Sequence, residues 1–357
     1  MEERAINYRR LKSARLYRGK SLDQLAEESG VNRKDIMCFE ENKYRPVEDN
    51  VWKLCKALKF PNKYFYEKDL IKVIIEGTSL NSKASTNKNE EIACKEGLVM
   101  IGKIYGLLDE YVPTKNVNLP KRGQYRDLEA IVNAVRKTWN IGDGPIKNMV
   151  SAMVDNGIIV SDIYFDKKGI STFTQKVTMN GDLKYIVSLG NDNRSIARRN
   201  YDLAYELGYM IANEVGIPVK KFPMDEFACE FLLPKEEFFK DLVNPTNLNG
   251  YLDIKKKYLA PVSAMIFRAY GLGIIDYKKY KFLLLEMEKK GWLKKEPLDD
   301  SLKDNNVVGF RSVMDRNNLT LEEIVEILSK NKMTLNPDDV EILLGLKKRN
   351  TYFKRKK

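Results

Sequence analysis

The segment Tyr205-Glu206-Leu207-Gly208-Tyr209 has the spacing of the zinc-binding pattern His-Glu-x-x-His, but the chain contains no histidine. In that pattern two imidazoles at i and i+4 lie on one helix face and hold the metal, while the glutamate acts as general base. Here phenols replace both imidazoles, and a phenol, with a reference pKa of about 10, stays protonated near neutral pH. The segment therefore predicts the helix of a metal site without its metal, and no cofactor is expected.

The composition favours a multidomain protein that meets polyanions. The chain has 357 residues, with 62 Lys+Arg against 50 Asp+Glu and a formal net charge of +12. This length accommodates two or three domains, and the basic balance is typical of proteins that bind nucleic acid or an anionic surface. Four cysteines without a CxxC pair favour a reducing, cytoplasmic setting. No apolar run approaches membrane-spanning length, so no membrane association is expected.

Four stretches can be separated along the chain, and together they predict a mainly α protein with a small α+β domain. The stretches are a helical module at 1–70, a linker and connecting helix at 71–118, a mixed domain at 119–297, and a helical C-terminal extension with a basic tail at 298–357. The polar run at 78–89 predicts the linker itself. Apolar runs predict strands at 158–165 and 184–189, and helical periodicity predicts helices at 90–111 and 197–215.

The first module carries the start and stop signals of two short, closely joined helices. Ser21 and Gln24 have the capping-box spacing, Gly30 suits a helix end, and Asn32 can begin the next helix, with Asp35 three residues on. This order is typical of a helix-turn-helix, whose second helix enters the major groove of DNA. The periodicity over 10–66 predicts five helices around one core, formed by Leu11, Ala14, Leu22, Leu25, Ala26, Val31, Ile36, Phe39, Val51, Leu54, Leu58 and Phe65.

The same stretch resembles the lambda-repressor-like (XRE) helix-turn-helix family across the whole module. The pattern is Leu22-x-x-Leu25-Ala26-x-x-x-Gly30-Val31-x-x-x-x-Ile36-x-x-Phe39-Glu40-x-x-Lys43-x-x-Pro46. The resemblance implies that the exposed early face of the second helix reads bases, which gives Asn32, Arg33, Lys34, Met37 and Cys38. Arg33 is the strongest candidate, because a guanidinium can bond guanine O6 and N7 together. Helix starts and the following loop imply phosphate contacts by Ser21, Asn42, Lys43 and Arg45. Four further arginines, Arg9, Arg10, Arg15 and Arg18, are expected to add positive charge nearby.

Residues 125–297 resemble the ImmA/IrrE family of zinc-peptidase-like domains. The matching segments are Glu129–Ile146, Arg199–Tyr209, Phe227–Pro234 and Val262–Gly273. The resemblance implies a zincin-like fold whose metal positions are Tyr205, Tyr209 and Pro223, with Glu206 as the former general base. All three ligand types are lost, so a catalytically dead domain is expected. Asp202, Glu206, Asp225 and Glu226 could hold a hard cation, but they are expected to be surface carboxylates or partners of nearby basic residues.

These patterns predict a DNA-binding transcriptional regulator, and more narrowly a repressor from a prophage or mobile element. The repressor is expected to bind an operator in double-stranded DNA as a homodimer. The peptidase-like region would then serve dimerisation, or sensing of a protein inducer or antirepressor. The two tyrosines either fill the space of the lost zinc site or line a cleft that binds without cutting. Two other hypotheses stay open: a protease that cleaves a partner regulator, and an antitoxin or immunity regulator that binds a partner protein.

Overall fold

The computed structural model describes residues 5–82, 88–111, 115–146, 148–161, 170–189, 195–302 and 310–346. These residues are mostly helical, with one small sheet. The helices are α1 (Tyr8–Tyr17), α2 (Leu22–Ser29), α3 (Arg33–Glu40), α4 (Glu48–Leu58), α5 (Lys88–Leu107), α6 (Leu128–Thr138), α7 (Met149–Asp155), α8 (Ile196–Val215), α9 (Met224–Leu232), α10 (Lys235–Asp241), α11 (Gly250–Tyr258), α12 (Val262–Gly271), α13 (Tyr277–Lys289), α14 (Phe310–Asn317), α15 (Leu321–Lys330) and α16 (Pro337–Leu343). Short 3₁₀ helices span Asn62–Tyr66 and Val219–Lys221.

The strands are β1 (Val73–Ser82), β2 (Ile158–Ser161), β3 (Ile170–Met179) and β4 (Asp182–Leu189), in the sheet order β1-β3-β4-β2. Both β1 and β4 pair antiparallel with β3; Val73 lies opposite Met179, and Thr172 lies opposite Leu189. Asn180 and Gly181 join β3 to β4, both with positive φ, as the tight turn of a two-residue hairpin requires.

The contacts divide the chain into two compact units. The first comprises the described residues of Met1–Thr114, Ser161–Asn191 and Gly309–Lys357, and the second those of Lys115–Val160 and Asp192–Val308. The helix-turn-helix module, most of the sheet and the C-terminal helices therefore belong to one unit, although they are far apart in sequence.

In the first unit, the helix-turn-helix module has the core that its periodicity predicts. Ten of the twelve predicted positions are buried, while Leu22 and Ala26 are half-buried. The fifth helix of the prediction is the 3₁₀ helix Asn62–Tyr66, which buries Tyr64 and Phe65 against the module. Helix α5 then packs against α1 and the sheet. A Cβ added at Gly102 would lie 3.1 Å from Ile186 Cδ1, so glycine here permits the close approach of helix and sheet.

In the second unit, α8 and α9 pack together over an aromatic core. Phe227 and Phe231 of α9 stack with ring centroids 5.8 Å apart, and Trp139 meets Phe231 edge-on. Arg136 is buried and donates to the carbonyls of Gly142, Gly144 and Phe231. This guanidinium satisfies three backbone acceptors at once, and burial lowers its pKa to about 10.

Lys255 is fully buried in the second unit and joins α11 to the segment that precedes the C-terminal helices. Its ammonium group donates to Glu296 and Asp299 at 2.8 and 2.6 Å and to the carbonyl of Pro297 at 2.9 Å. A buried ammonium is tolerated when paired and hydrogen-bonded in this way.

Several elements differ from the prediction. The expected linker at 78–89 begins inside β1, because the backbone of 78–82 pairs with β3, and residues 83–87 lie outside the described residues. Of the predicted strand at 158–165, the structure describes 158–161, which form β2, and the remainder lies outside the described residues. Strands β1 and β3 were not predicted. Helix α8 agrees with the expected 197–215, whereas the basic tail at 347–357 lies outside the described residues. Among the described residues, no helix is long and apolar enough to cross a membrane.

Candidate nucleic-acid interface

The two helices of the helix-turn-helix begin and end where the sequence predicts. Ser21 accepts from the backbone N–H of Gln24 while the Gln24 side chain accepts from the N–H of Ser21, which completes the capping box. Gly30 ends α2 with φ +69°, a conformation that costs glycine little. The Asn32 side chain then accepts from the N–H of Lys34 and starts α3. Local backbone chemistry therefore fixes the tight turn between α2 and α3.

A buried ion pair holds α3 at its C-terminal end. Arg15 of α1 donates from Nε and Nη2 to the two carboxylate oxygens of Glu40, at 2.6 and 2.7 Å. Ile36 and Phe39 pack into the core on the same side. Two-point bonding fixes direction as well as distance, so the opposite face of α3 is presented in one orientation.

The predicted base-reading residues divide into two groups by exposure. Asn32, Arg33 and Lys34 are exposed at the N-terminal end of α3, the end that contacts base edges in this motif. Met37 and Cys38 are half-buried, which leaves them less surface for contact. The structure thus presents three of the five side chains to solvent; the base contacts themselves stay a prediction.

Arg33, the strongest candidate, already has an acidic neighbour. Its Nε lies 2.7 Å from Asp23 Oδ1 of α2, and both side chains are half-exposed or more. An exposed pair of this kind contributes only about 0.2–1 kcal/mol. Its effect is therefore on orientation: the carboxylate holds one edge of the guanidinium and restricts where the two terminal nitrogens point.

The predicted phosphate contacts also fall into two groups. The Ser21 hydroxyl is engaged in its helix cap, and Asn42 adopts φ 57° in the turn after α3. Lys43 and Arg45 are exposed in the following loop. Lys43 lies 2.6 Å from Glu41, whose hydrogen bond and charge raise the pKa of the lysine, so the ammonium stays charged. Lys43 and Arg45 are the better phosphate candidates, because both are exposed and charged, whereas Asn42 is exposed but neutral.

Tyr44, which is not among the predicted site residues, packs against α3 and holds this loop in place. Its hydroxyl donates to Asp35 Oδ1 at 2.5 Å, and its ring meets Phe39 edge-on at 5.3 Å. The bond to Asp35 raises the pKa of Tyr44. Only the presence of an aromatic residue in an otherwise polar loop could have indicated this role. Tyr44 fixes the neighbouring Lys43 and Arg45 relative to α3.

Of the four arginines expected to add positive charge nearby, three are buried, so only Arg9 presents that charge at the surface. Arg10, Arg15 and Arg18 are each less than a tenth exposed, whereas Arg9 is exposed. A buried guanidinium needs a partner, and each finds carboxylates that are distant in sequence. These arginines stabilise the module from inside and have too little exposed surface to contribute to a DNA contact.

The most distant of those partners lies near the end of the chain. Arg18 donates to both carboxylate oxygens of Asp339 in α16, at 2.6 and 2.7 Å, and the pair is almost fully buried. Arg18 also donates to the carbonyls of Leu58 and Lys59, and its guanidinium carbon lies 4.5 Å from the Phe60 ring centroid.

Further polar contacts extend along residues 329–339, here termed the C-terminal docking segment. Thr334 donates from its backbone and its hydroxyl to the two carboxylate oxygens of Glu67, at 2.8 and 2.7 Å. Arg10 donates to the carbonyl of Lys332 at 2.6 Å. These hydrogen bonds join the docking segment to the helix-turn-helix module and stabilise the module.

The residues predicted to form a degenerate metal centre lie in the second unit, on and beside α8. Glu206 is fully buried, Tyr209 is 5% exposed, Tyr205 is half-buried, and Pro223 precedes α9. Burial raises the pKa of both phenols, and the charges of Asp225 and Glu206 raise that of Tyr205 further. Both phenols therefore stay protonated at neutral pH, a state unsuited to binding a metal ion.

The four carboxylates considered for a hard cation do not share one surface. Asp225 and Glu226 are exposed, as surface carboxylates are, whereas Asp202 and Glu206 are buried. For Asp202 the other expectation, a nearby basic partner, is met. Asp202 lies 3.9 Å from Arg198, and Asp225 accepts from the Tyr201 hydroxyl at 2.6 Å. Within the described part of the chain, no three His, Cys, Asp or Glu side chains are grouped so as to hold a metal ion.

The comparison with protein families agrees with the N-terminal geometry. Residues 8–71 match the helix-turn-helix domain family, which confirms the predicted module and supports a DNA-binding transcription regulator acting on double-stranded DNA. Neither the comparison with curated proteins nor that with solved structures gives a match. The likeness of 125–297 to the ImmA/IrrE family stays a prediction.

Proposed function

We propose that this protein is a sequence-specific repressor of a prophage or mobile genetic element, which acts in the cytoplasm and binds its operator as a homodimer. In this proposal the α3 helices of two copies enter successive major grooves, about one helical turn apart. The observation that carries it is the exposed trio Asn32, Arg33 and Lys34, at the leading end of a helix held by a cap and by the Arg15–Glu40 pair.

The proposed base contact belongs to Arg33. A guanidinium that approaches guanine with two donors discriminates against the other bases by about 1–3 kcal/mol. Asp23 holds Nε of Arg33, which is compatible with a contact made by the two terminal nitrogens. Lys43 and Arg45 would bind phosphates on either side and contribute affinity that falls with salt.

The peptidase-like region is proposed to bind without cutting. Its former ligand positions carry protonated phenols and a proline, and its former general base, Glu206, is buried. A general base needs a water molecule within reach, and zinc needs three deprotonated ligands. A protein inducer or antirepressor that bound one conformation of this region would shift the population that is competent for DNA.

The proposal is tested by mapping the DNA that purified protein protects upstream of its own gene. We expect a protected inverted repeat, with affinity that falls steeply as salt rises. Failure to protect any site there, together with no preference in a selection from random duplexes, would refute sequence-specific binding.

A separate test addresses the enzyme question. Metal analysis of protein purified without chelator should give no stoichiometric zinc, and incubation with candidate partner regulators should leave them intact. Stoichiometric metal together with cleavage that a chelator abolishes would replace the binding role of the peptidase-like region with a catalytic one.

A further inference from the structure

Helix α4 exposes a tryptophan at the middle of its outer face. Val51, Leu54, Cys55 and Leu58 bury the inner face, whereas the side chain of Trp52 is 57% exposed. An isolated exposed apolar residue needs no explanation, but tryptophan is the residue most enriched at the centres of protein contacts.

Opposite charges lie at equal distances on the two sides of Trp52. Glu48 precedes it by four residues and Lys56 follows it by four, and both are exposed. Residues four apart lie on one helix face, so the three side chains form a stripe with about 6 Å of helix between successive members. The Lys56 ammonium lies 5.2 Å from the Trp52 ring centroid and already covers part of the ring.

This stripe is complementary to itself when a second copy runs antiparallel. A twofold axis through Trp52 brings Glu48 of one copy opposite Lys56 of the other, twice, and places the two indole rings together at the centre. A parallel alignment would instead oppose glutamate to glutamate and lysine to lysine. Isologous interfaces have this reciprocity, in which residue i meets j and j meets i.

We propose that the outer face of α4, defined by Glu48, Trp52 and Lys56, is a contact between two copies of this chain. A stable interface buries about 1,200 Å² or more of accessible surface. A single pair of helices buries less than this, so the contact is weak in solution. It gains strength when DNA holds two copies on neighbouring half-sites, because the second contact is then effectively intramolecular. This use rests on the proposed function, but the contact itself can be measured without DNA.

The test is the monomer–dimer equilibrium of the full-length protein, measured by sedimentation over a range of concentrations. Glu48→Lys opposes lysine to lysine at both symmetric contacts, and Lys56→Glu does the converse. We expect each change to weaken dimerisation about tenfold, which corresponds to about 1.4 kcal/mol. The double variant E48K/K56E restores both pairs with reversed sign and should regain most of the wild-type affinity.

Two controls separate this contact from general effects. Glu27→Lys on the exposed surface of α2 changes the net charge as Glu48→Lys does and should leave the equilibrium unchanged. Trp52→Ala should abolish dimerisation while circular dichroism reports an intact fold.

A protein that is monomeric at every concentration would overturn the inference. A dimer whose affinity is unchanged by Glu48→Lys and Lys56→Glu would also overturn it. The same holds if the double variant dimerises no more tightly than the single variants. A dimer with the expected rescue but without DNA binding would leave the inference standing and refute the proposed function instead.

Discussion

Replacing Asp339 by alanine tests whether the C-terminal docking segment supports the helix-turn-helix module. The Arg18–Asp339 pair is the most buried link between the two, with side chains 4% and 3% exposed and two hydrogen bonds of 2.6 and 2.7 Å. The change removes the carboxylate but leaves Arg18 in place. Arg18 keeps its bonds to the carbonyls of Leu58 and Lys59, yet its charge loses its counterion.

The expected cost follows from that uncompensated charge. Removing one partner of a buried ion pair destabilises a protein by about 3–5 kcal/mol. Asp338 provides a matched control, because it is the neighbouring aspartate in the first turn of α16 but is exposed. Asp338→Ala leaves the buried Arg18–Asp339 pair intact and removes only an exposed carboxylate, whose contacts are screened by water, so its cost should be smaller. Asp339→Ala should therefore lower the free energy of unfolding several times as much as Asp338→Ala does.

Hydrogen exchange followed by mass spectrometry measures this effect locally, which suits a chain with two compact units. We expect amides of α1 and of the end of α4 to exchange about a hundredfold or more faster in Asp339→Ala, since every 1.4 kcal/mol is tenfold. Peptides of the second unit serve as the internal reference. Exchange in α1 that matches Asp338→Ala would refute the idea that the docking segment supports the module.

Three further variants address the two candidate sites. Lys43→Ala should weaken binding to all DNA sequences alike and reduce the slope of log affinity against log salt by about 1; a loss confined to the operator would argue against a phosphate contact. Asp23→Ala should lower the ratio of specific to non-specific affinity by at most about fivefold, because Arg33 loses an orienting partner whose exposed pair contributes only about 0.2–1 kcal/mol; an unchanged ratio would show that Asp23 does not orient Arg33. Glu206→Gln should leave operator affinity unaltered, and a folded variant without regulatory activity would favour an enzyme.

The helix-turn-helix could be predicted because its signals are local. The Ser21 capping box and the αL position of Gly30 depend on residues within one or two turns, and the structure has both. The role of the arginines could not be predicted in this way. Arg18 and Asp339 are 321 positions apart, and a single sequence contains no signal that joins them. An arginine in a small helical module is equally compatible with a DNA-facing surface and with a buried pair.

The sheet was only half predicted, although one local signal was present. Asn180-Gly181 between two runs rich in β-branched residues is a strong indication of a hairpin, and it would have identified β3 beside β4. Strand β1 gave no comparable signal, because it contains Gly77 and ends in polar residues that could equally belong to a linker. Its pairing with β3 depends on backbone hydrogen bonds that side-chain patterns do not report.

The most direct test of base recognition by α3 compares the DNA sequences selected from random duplexes by wild-type protein, Arg33→Ala and Arg9→Ala. Arg9 is the matched control, an exposed arginine on α1 and outside α3. We expect Arg33→Ala to lose its preference at one base position of each half-site, at a cost of about 1–3 kcal/mol, while Arg9→Ala keeps the full consensus. An unchanged consensus and affinity for Arg33→Ala would contradict the placement of α3 as the helix that reads DNA.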